Sequence, residues 1–230
     1  MNDYLMSSSN YELRPNQSRA KNAVLFLKII LVLEIVSLIS AYLQYALLNN
    51  ADITEELAAA NDSRQQIVGV LYLGVFIATA VTFINWFRRA YHNLGQLEEN
   101  LAYLQKDTGI SWFIPILNLY KPYKIMKDLY TKTQSVLEEN GSASSSLSSL
   151  NTVKSWWILW VLISILGSIS FRLSSNSDTI DVLLMVTAID MIVNIISIPT
   201  AILAIQVIRN YQQTEPLLEE IAYQKESVLQ

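Results

Sequence analysis

The sequence predicts an all-α integral membrane protein: a four-helix bundle with a cytoplasmic or interfacial helical element between its second and third helices. Three observations predict this class. Of the 230 residues, 52% are hydrophobic and only 16% are charged, whereas soluble domains usually carry about 25% charged residues. Four long apolar runs hold most of the hydrophobic residues, and each is close to the roughly 20 residues that a helix needs to cross a bilayer. Basic residues cluster on alternate sides of these runs.

The apolar runs divide the chain into spanning helices, connections and tails. We expect a transmembrane domain over residues 23–210, with helices over residues 23–48, 67–87, 156–173 and 180–208. Residues 1–22 and 211–230 are predicted to be polar tails. Between the second and third helices we expect an interfacial element over residues 90–139 and a serine-rich linker over residues 140–152. Because the first run begins late for a cleaved signal peptide, it is predicted to be a retained signal anchor.

Lysine and arginine predict the orientation, because they resist translocation from short flanking segments. Most of them lie before the first run, after the fourth, or in the long connection between the second and third. The other two connections carry only Arg64 and Arg172, beside several acidic residues. We therefore expect a bacterial inner-membrane protein with both termini and the long connection in the cytoplasm.

The long connection contains two amphipathic patterns. Leucines at helical spacing predict that the second helix continues beyond the bilayer until Gly109 ends it: Leu94, Leu97, Leu101 and Leu104. A second amphipathic helix is predicted around Tyr123, Met126, Tyr130 and Val136, with Pro122 in its first turn.

Between these helices lies the sequence WFIPILNLYKPY, residues 112–123. It is too short to cross a bilayer and too apolar for a solvated loop. Pro115 lacks an amide hydrogen, and lipid offers no replacement hydrogen bond to an irregular backbone. We therefore expect this segment to enter the membrane interface without crossing. Trp112 would then lie at headgroup level, with Asn118 bonding to neighbouring backbone groups.

Aromatic and basic residues where the second helix leaves the bilayer form the candidate site for lipid or partner binding. Interfacial aromatic residues anchor membrane proteins, and basic residues contact lipid phosphates. Two interpretations stay open: general anchoring, or specific binding of an anionic lipid headgroup or the acidic face of a partner protein, including another copy in a homo-oligomer. The candidate residues are Trp86, Arg88, Arg89, Tyr91, Asn93, Trp112, Pro115, Asn118, Lys121, Pro122 and Lys124.

Glu34, Asp190 and Asn194 are polar residues inside apolar runs. A carboxylate in mid-bilayer costs about 2.5–3.5 kcal/mol on insertion scales, so it faces protein or water. One interpretation is that these groups hold helices together by hydrogen bonds. The other is that they form a proton or cation site.

The residue inventory offers no catalytic, metal or cofactor site. The chain has no cysteine and a single histidine, His92, and it contains neither a phosphate-binding loop nor a nucleophile elbow. The net charge of −4 gives no nucleic-acid footprint.

Three motifs together resemble a bacterial family of multi-pass membrane proteins catalogued as domain of unknown function 4328. They are LRPNQSRAKNAV at residues 13–24, FINWFRRAYHNL at residues 83–94 and SWFIPILNLYKPYKIMKDLY at residues 111–130. The resemblance covers roughly residues 13–210. It implies a four-helix membrane protein with a cytoplasmic central element, and it carries no known activity.

The favoured function is a non-enzymatic membrane protein that docks a lipid or protein partner through the aromatic and basic element. The alternative is a small oligomeric channel or transporter that uses Glu34, Asp190 and Asn194. A lipid-modifying enzyme is the third and least favoured function. A cluster of polar residues on the cytoplasmic face favours docking, whereas a polar track across the bilayer favours transport.

The charge asymmetry makes a testable prediction of topology. A reporter at Ser145 or after Gln230 should be active only as a cytoplasmic fusion. Because the native chain lacks cysteine, single cysteines at Ile114, Leu117 and Tyr120 should be labelled only from the cytoplasmic side. Labelling of any of these cysteines from outside would require a fifth crossing and would overturn this topology.

Overall fold

The computed structural model describes residues 13–50, 52–141, 150–176 and 179–228, and within these ranges it is helical without strands. The predicted all-α class with four long apolar helices is confirmed. A 3-10 turn covers Leu117–Leu119. The helices are α1 (Gln17–Leu48), α2 (Glu55–Leu97), α3 (Asp107–Ile110), α4 (Lys121–Glu139), α5 (Leu150–Ser174), α6 (Ile180–Gln212) and α7 (Glu215–Val228).

Helices α1, α2, α5 and α6 are long and apolar enough to cross a membrane. Only 6% of the most apolar stretch of α2 and 11% of that of α5 are buried against the protein. The outward side chains of α2 include Ile67, Val70, Leu71 and Phe76, each more than half exposed. A chain in water would bury such a surface, whereas lipid solvates it. These helices therefore identify a membrane protein.

The four long helices pack in the order α2–α1–α6–α5, with α1 and α6 central. The α2–α5 pair is not closely packed along its length. At one end, however, Phe83 of α2 and Trp156 of α5 approach with ring centroids 5.4 Å apart. We call this end, where α1 and α5 begin and α2 and α6 finish, the basic end, and the opposite end the hairpin end. The arrangement leaves a lateral groove between α2 and α5.

Polar contacts join the spanning helices toward the hairpin end. Arg64 donates to the Asn61 side chain at 2.6 Å and to the carbonyl of Ser40 on α1 at 3.3 Å. Gln44 of α1 donates to the Thr187 hydroxyl of α6 at 2.9 Å. Such bonds between helices supply part of the association free energy that the hydrophobic effect does not provide in lipid.

The densest packing lies at the basic end. We call this assembly the head: α3, α4 and α7 with residues 83–97 of α2 and the adjoining ends of α5 and α6. Its fully buried large side chains include Trp86, Tyr91, Tyr130 and Tyr211. The Tyr130 hydroxyl donates to the Val207 carbonyl at 2.6 Å. Hydrogen bonds thus satisfy the tyrosine hydroxyls in a core that resembles that of a soluble helical domain.

The second helix differs from the predicted range at both ends. It begins at Glu55, where the Thr54 hydroxyl accepts a hydrogen bond from Leu57 N–H. It ends at Leu97, so the prediction that Leu101 and Leu104 continue the helix is wrong. The Tyr91 hydroxyl accepts from Tyr103 N–H at 3.1 Å, which fixes the following segment in a turn against the helix.

The predicted tails are also partly structured. Helix α1 begins at Gln17 instead of residue 23, and most of the predicted C-terminal tail is α7. Leu218, Ile221 and Ala222 of α7 are buried in the head. Within the predicted linker, residues 142–149 lie outside the described residues, and α5 already begins at Leu150.

Glu215 connects α7 to the start of α1. Asn16 Nδ2 donates to Glu215 Oε1 at 2.6 Å and lies 3.4 Å from the Trp86 carbonyl. The pKa of the Glu215 carboxyl is raised from 4.5 to about 7, chiefly because the group is buried. The hydrogen bond from Asn16 lowers this pKa, and the nearby charge of Glu219 raises it. Because the pKa is higher in the folded state, protonation of Glu215 stabilises the fold. This contribution to the free energy of unfolding is complete below about pH 4.5 and is lost as the pH rises through about 7.

We therefore expect the protein in detergent to unfold at a temperature a few degrees lower at pH 8 than at pH 5. Glu215→Gln keeps an acceptor for Asn16 and removes the titrating group, so it should flatten most of this dependence. Glu220→Gln, at an exposed position of the same helix, should leave it unchanged. Thermal unfolding followed by tryptophan fluorescence measures both. If the unfolding temperature of Glu215→Gln still fell between pH 5 and pH 8 as much as that of the wild-type protein, Glu215 would not be the titrating group.

Candidate functional site

The predicted site residues separate into three groups. Trp86 and Tyr91 are buried in the head core, at 0% and 1% exposure, so they support the site without forming its surface. Arg88 and Arg89 line a cavity. Asn93 belongs with the buried residues of α2, and the other candidates for lipid or partner binding lie in or beside the segment between α3 and α4.

A cavity of about 310 Å³ opens at the basic end, and we call it the basic cavity. Within the described part of the chain, four arginines and three uncharged polar residues line it, and no acidic residue does. The lining residues are Arg14, Arg19, Asn85, Arg88, Arg89, His92 and Gln105. An anion in this cavity would meet convergent positive charge from two separate segments of the chain.

The face of α2 provides most of this lining. Asn85, Arg88, Arg89 and His92 occupy positions i, i+3, i+4 and i+7 of the helix, which places them on one face. Trp86 and Phe87 lie on the opposite face, fully buried. Helical periodicity therefore directs the aromatic side chains to the core and the basic ones to the cavity.

The segment before α1 completes the cavity, and Asn93 holds it in place. The Asn93 carboxamide accepts from Arg14 N–H at 3.1 Å and donates to the Arg14 carbonyl at 2.8 Å. Arg19 donates to the Asn85 carbonyl at 3.2 Å. Asn93 is buried and pairs with backbone, so its role is to position Arg14 beside α2.

Gly109 allows Arg88 to lie close to α3. A Cβ atom at this glycine would be 3.3 Å from Arg88 Cδ and 3.6 Å from its Nε. The guanidinium stem therefore passes directly over the glycine backbone, and a side chain here would displace it. Gly109, in the short helix α3, thus leaves space for the Arg88 side chain.

The sequence predicted only part of the basic cavity. The predicted site included Arg88 and Arg89 but not Arg14, Arg19, Asn85, His92 or Gln105. One sequence feature could have indicated the cavity: the basic residues before the first span and those after the second span lie at the same end of the bundle. Which of these residues meet depends on the Asn93–Arg14 contact, and no local pattern encodes it.

Trp112 belongs to an aromatic cluster that connects α2, α5 and the segment after α3. Its ring lies edge-on to Phe83 at 5.7 Å, to Trp157 at 5.8 Å and to Trp160 at 5.7 Å between centroids. Edge-to-face contacts at such distances are favourable beyond the area they bury. Trp112 is thus packed against protein, and its expected placement at headgroup level stays a prediction.

The segment after Trp112 presents an apolar tip, Phe113, Ile114 and Ile116. Phe113 and Ile116 are 77% and 74% exposed. Ile116 has φ of 69°, a left-handed conformation that is rare and strained for a β-branched residue. Pro115 precedes it in the tip. This geometry suits a segment that directs apolar side chains outward.

The remaining predicted residues have local structural roles. Asn118 contributes its backbone N–H, which donates to the Ile114 carbonyl at 3.0 Å. Lys121 forms an ion pair with Asp107 at 3.2 Å. Lys124 lies over the Tyr120 ring at 5.0 Å. Pro122 is buried in the first turn of α4, and none of these residues lines the basic cavity.

The polar residues inside the spans occupy separate sites. Glu34 accepts a hydrogen bond from the Tyr72 hydroxyl at 2.7 Å. Asp190 accepts one from the Ser170 hydroxyl at 2.6 Å, and Asn194 is half-buried one turn further along α6. Glu34 therefore bonds α1 to α2, whereas Asp190 bonds α5 to α6. Among the described residues, no group of three or more histidines and carboxylates could hold a metal ion.

One family model matches residues 49–213 of the chain. The match includes α2, the head residues of α4 and α6, and the Arg88–Arg89 face of the basic cavity, and it begins after Arg14 and Arg19. No curated protein and no solved structure matches the chain. Because the match covers more than half of the 230 residues, the chain belongs to the family described as Domain of unknown function (DUF4328).

Proposed function

We propose that this protein is a binding protein of the bacterial inner membrane that holds the phosphate of an anionic phospholipid in its basic cavity, on the cytoplasmic face. One observation carries the proposal: four arginines from two chain segments line a single cavity of about 310 Å³, and none of the described residues that line it is acidic.

Arginine suits this role because its planar guanidinium donates two parallel hydrogen bonds to phosphate oxygens. Asn85, His92 and Gln105 add side-chain donors around the same space. The arginines come from the start of α1 and from α2, so a bound phosphate would also bridge these two helices. The proposal rests on the charge and shape of the whole cavity, since Arg14, Arg19, Arg89 and His92 already interact with other groups of the chain.

A lipid headgroup is favoured over a soluble anion by the position of the cavity along the helices. Arg88 immediately follows the apolar run of α2, and Arg19 lies one turn before that of α1. Below the cavity, exposed apolar residues such as Ile77 and Val81 continue along α2. A phosphate in the cavity would therefore lie where the acyl chains of the same lipid can follow α2.

The transport alternative is less well supported by the polar contacts within the spans. Glu34 and Asp190 have different partners on different helix pairs. The polar residues of the basic end, by contrast, converge on one cavity. Convergence of polar groups in a concave site is the usual mark of a binding site.

Titration of the purified protein in neutral detergent with dioctanoyl-phosphatidylglycerol tests this function. Each basic contact near a membrane surface is worth about 1 kcal/mol. Arg88→Gln with Arg89→Gln should therefore weaken binding about 30-fold, since about 1.4 kcal/mol corresponds to a factor of ten. Isothermal titration calorimetry or thermophoresis gives the dissociation constants.

A matched control removes the same charge from the same end of the protein. Lys124→Gln with Lys127→Gln lies on α4, outside the cavity, and should change the affinity less than threefold. Equal losses in both double variants would indicate general electrostatic attraction and would contradict a specific site. Tighter binding of inorganic phosphate than of the lipid would assign the cavity to a soluble anion. Binding of an acidic peptide but not of the lipid would assign it to a partner protein.

A further inference from the structure

The groove between α2 and α5 contains a second cavity of about 310 Å³, within the size range of ligand sites, about 300–1,000 Å³. Side chains of α1 and α6 form its floor, including Leu27, Ile30 and Ala201. Phe76 and Ala80 of α2 and Ile163 of α5 form its walls. Apart from a few hydroxyls and one carboxyl, this lining is apolar. We call this cavity the groove cavity.

An aromatic cap closes the groove cavity toward the head. Trp112, Trp156 and Phe83 all line it, and the Phe83 ring contacts both tryptophans at 5.7 and 5.4 Å. On its open side, Phe76 is half exposed and Phe113 is 77% exposed. A molecule would thus enter sideways between α2 and α5, from the hydrocarbon region instead of from water.

One carboxyl faces this apolar space. Glu34 is only 3% exposed, and the Tyr72 hydroxyl occupies its Oε1 at 2.7 Å. Its Oε2 is buried and accepts no hydrogen bond of acceptable geometry from the residues that the structure describes, although the Ser197 hydroxyl of α6 lies beside the carboxyl. An unpaired buried polar atom costs about 1–3 kcal/mol, and this one lines a cavity large enough to admit a ligand. Oε2 is therefore the polar contact that a bound molecule would complete.

We propose that the groove cavity binds an apolar, membrane-dissolved molecule that carries a hydroxyl group, the class that includes long-chain and isoprenoid alcohols. The apolar body fills the space beneath the tryptophan cap, and the hydroxyl bonds to Glu34 Oε2. A hydroxyl fits this position because it donates to a carboxylate and accepts from a carboxylic acid. A cationic group would have to lose its hydration in the bilayer, which is costly. This site is independent of the basic cavity.

Brominated probes test the proposal, because bromine quenches tryptophan fluorescence on contact and Trp112, Trp156 and Trp160 line the cavity. The probes are dibrominated octadecanol and dibrominated octadecane, added to the protein in nanodiscs of phosphatidylcholine. We expect saturable quenching by the alcohol, with half-saturation at a mole fraction about three- to tenfold lower than for the hydrocarbon.

Two pairs of variants separate the carboxyl from the space. Glu34→Leu should abolish the preference for the alcohol, whereas Asp190→Leu, which removes the other intramembrane carboxylate, should keep it. Ala80→Phe fills the cavity and should remove the saturable quenching. Val81→Phe adds the same ring at an exposed position of α2 and should retain it.

Equal half-saturation by the two probes in the wild-type protein would overturn the proposal, because the cavity would then be an unselective apolar space. A preference that survives Glu34→Leu would overturn it as well. Saturable quenching unaffected by Ala80→Phe would place the probe on the outer surface of the bundle.

Discussion

The length of α2 is the constraint on which the rest of the structure depends. Its 43 residues extend about 65 Å at about 1.5 Å per residue, and the hydrocarbon core is only about 30 Å thick. The helix must therefore continue well beyond the bilayer. The part with Trp86, Phe87, Tyr91 and Leu94 needs protein to cover it, and α4, α7 and the end of α6 provide that cover.

Both candidate sites are consequences of this single helix. Around Arg88, the face of α2 that does not enter the head core carries the basic residues, so the rigid core fixes the direction of the arginines. One or two turns earlier, Phe83 and Ala80 line the groove cavity, and Phe83 also contacts Trp86 at 5.4 Å. The aromatic packing of the head therefore sets the shape of both the basic cavity and the groove cavity.

The sequence predicts those features that local patterns encode. Apolar runs of sufficient length predicted the four spanning helices, and helical spacing with Pro122 predicted α4. The sequence did not predict α7 or the complete basic cavity, because these features depend on single contacts between segments that are distant in the chain. Asn93 binds Arg14 across 79 residues and Asn16 binds Glu215 across 199. The leucine spacing that extended α2 to Leu104 failed because Tyr91 and Asp128 bind the backbone of the turning segment instead.

Helix α2 acts as one continuous helix whose register aligns the head with the four long helices. Inserting one alanine between Arg89 and Ala90 rotates everything after it by about 100° and moves Tyr91, Asn93 and Leu94 out of the core. Hydrogen–deuterium exchange in nanodiscs should then show loss of amide protection in α4 and α7, with the spanning segments still protected. The same insertion after Asn50, in the loop before α2, should leave α4 and α7 protected. Unchanged protection of α4 and α7 in the first variant would show that the register of α2 does not position the head.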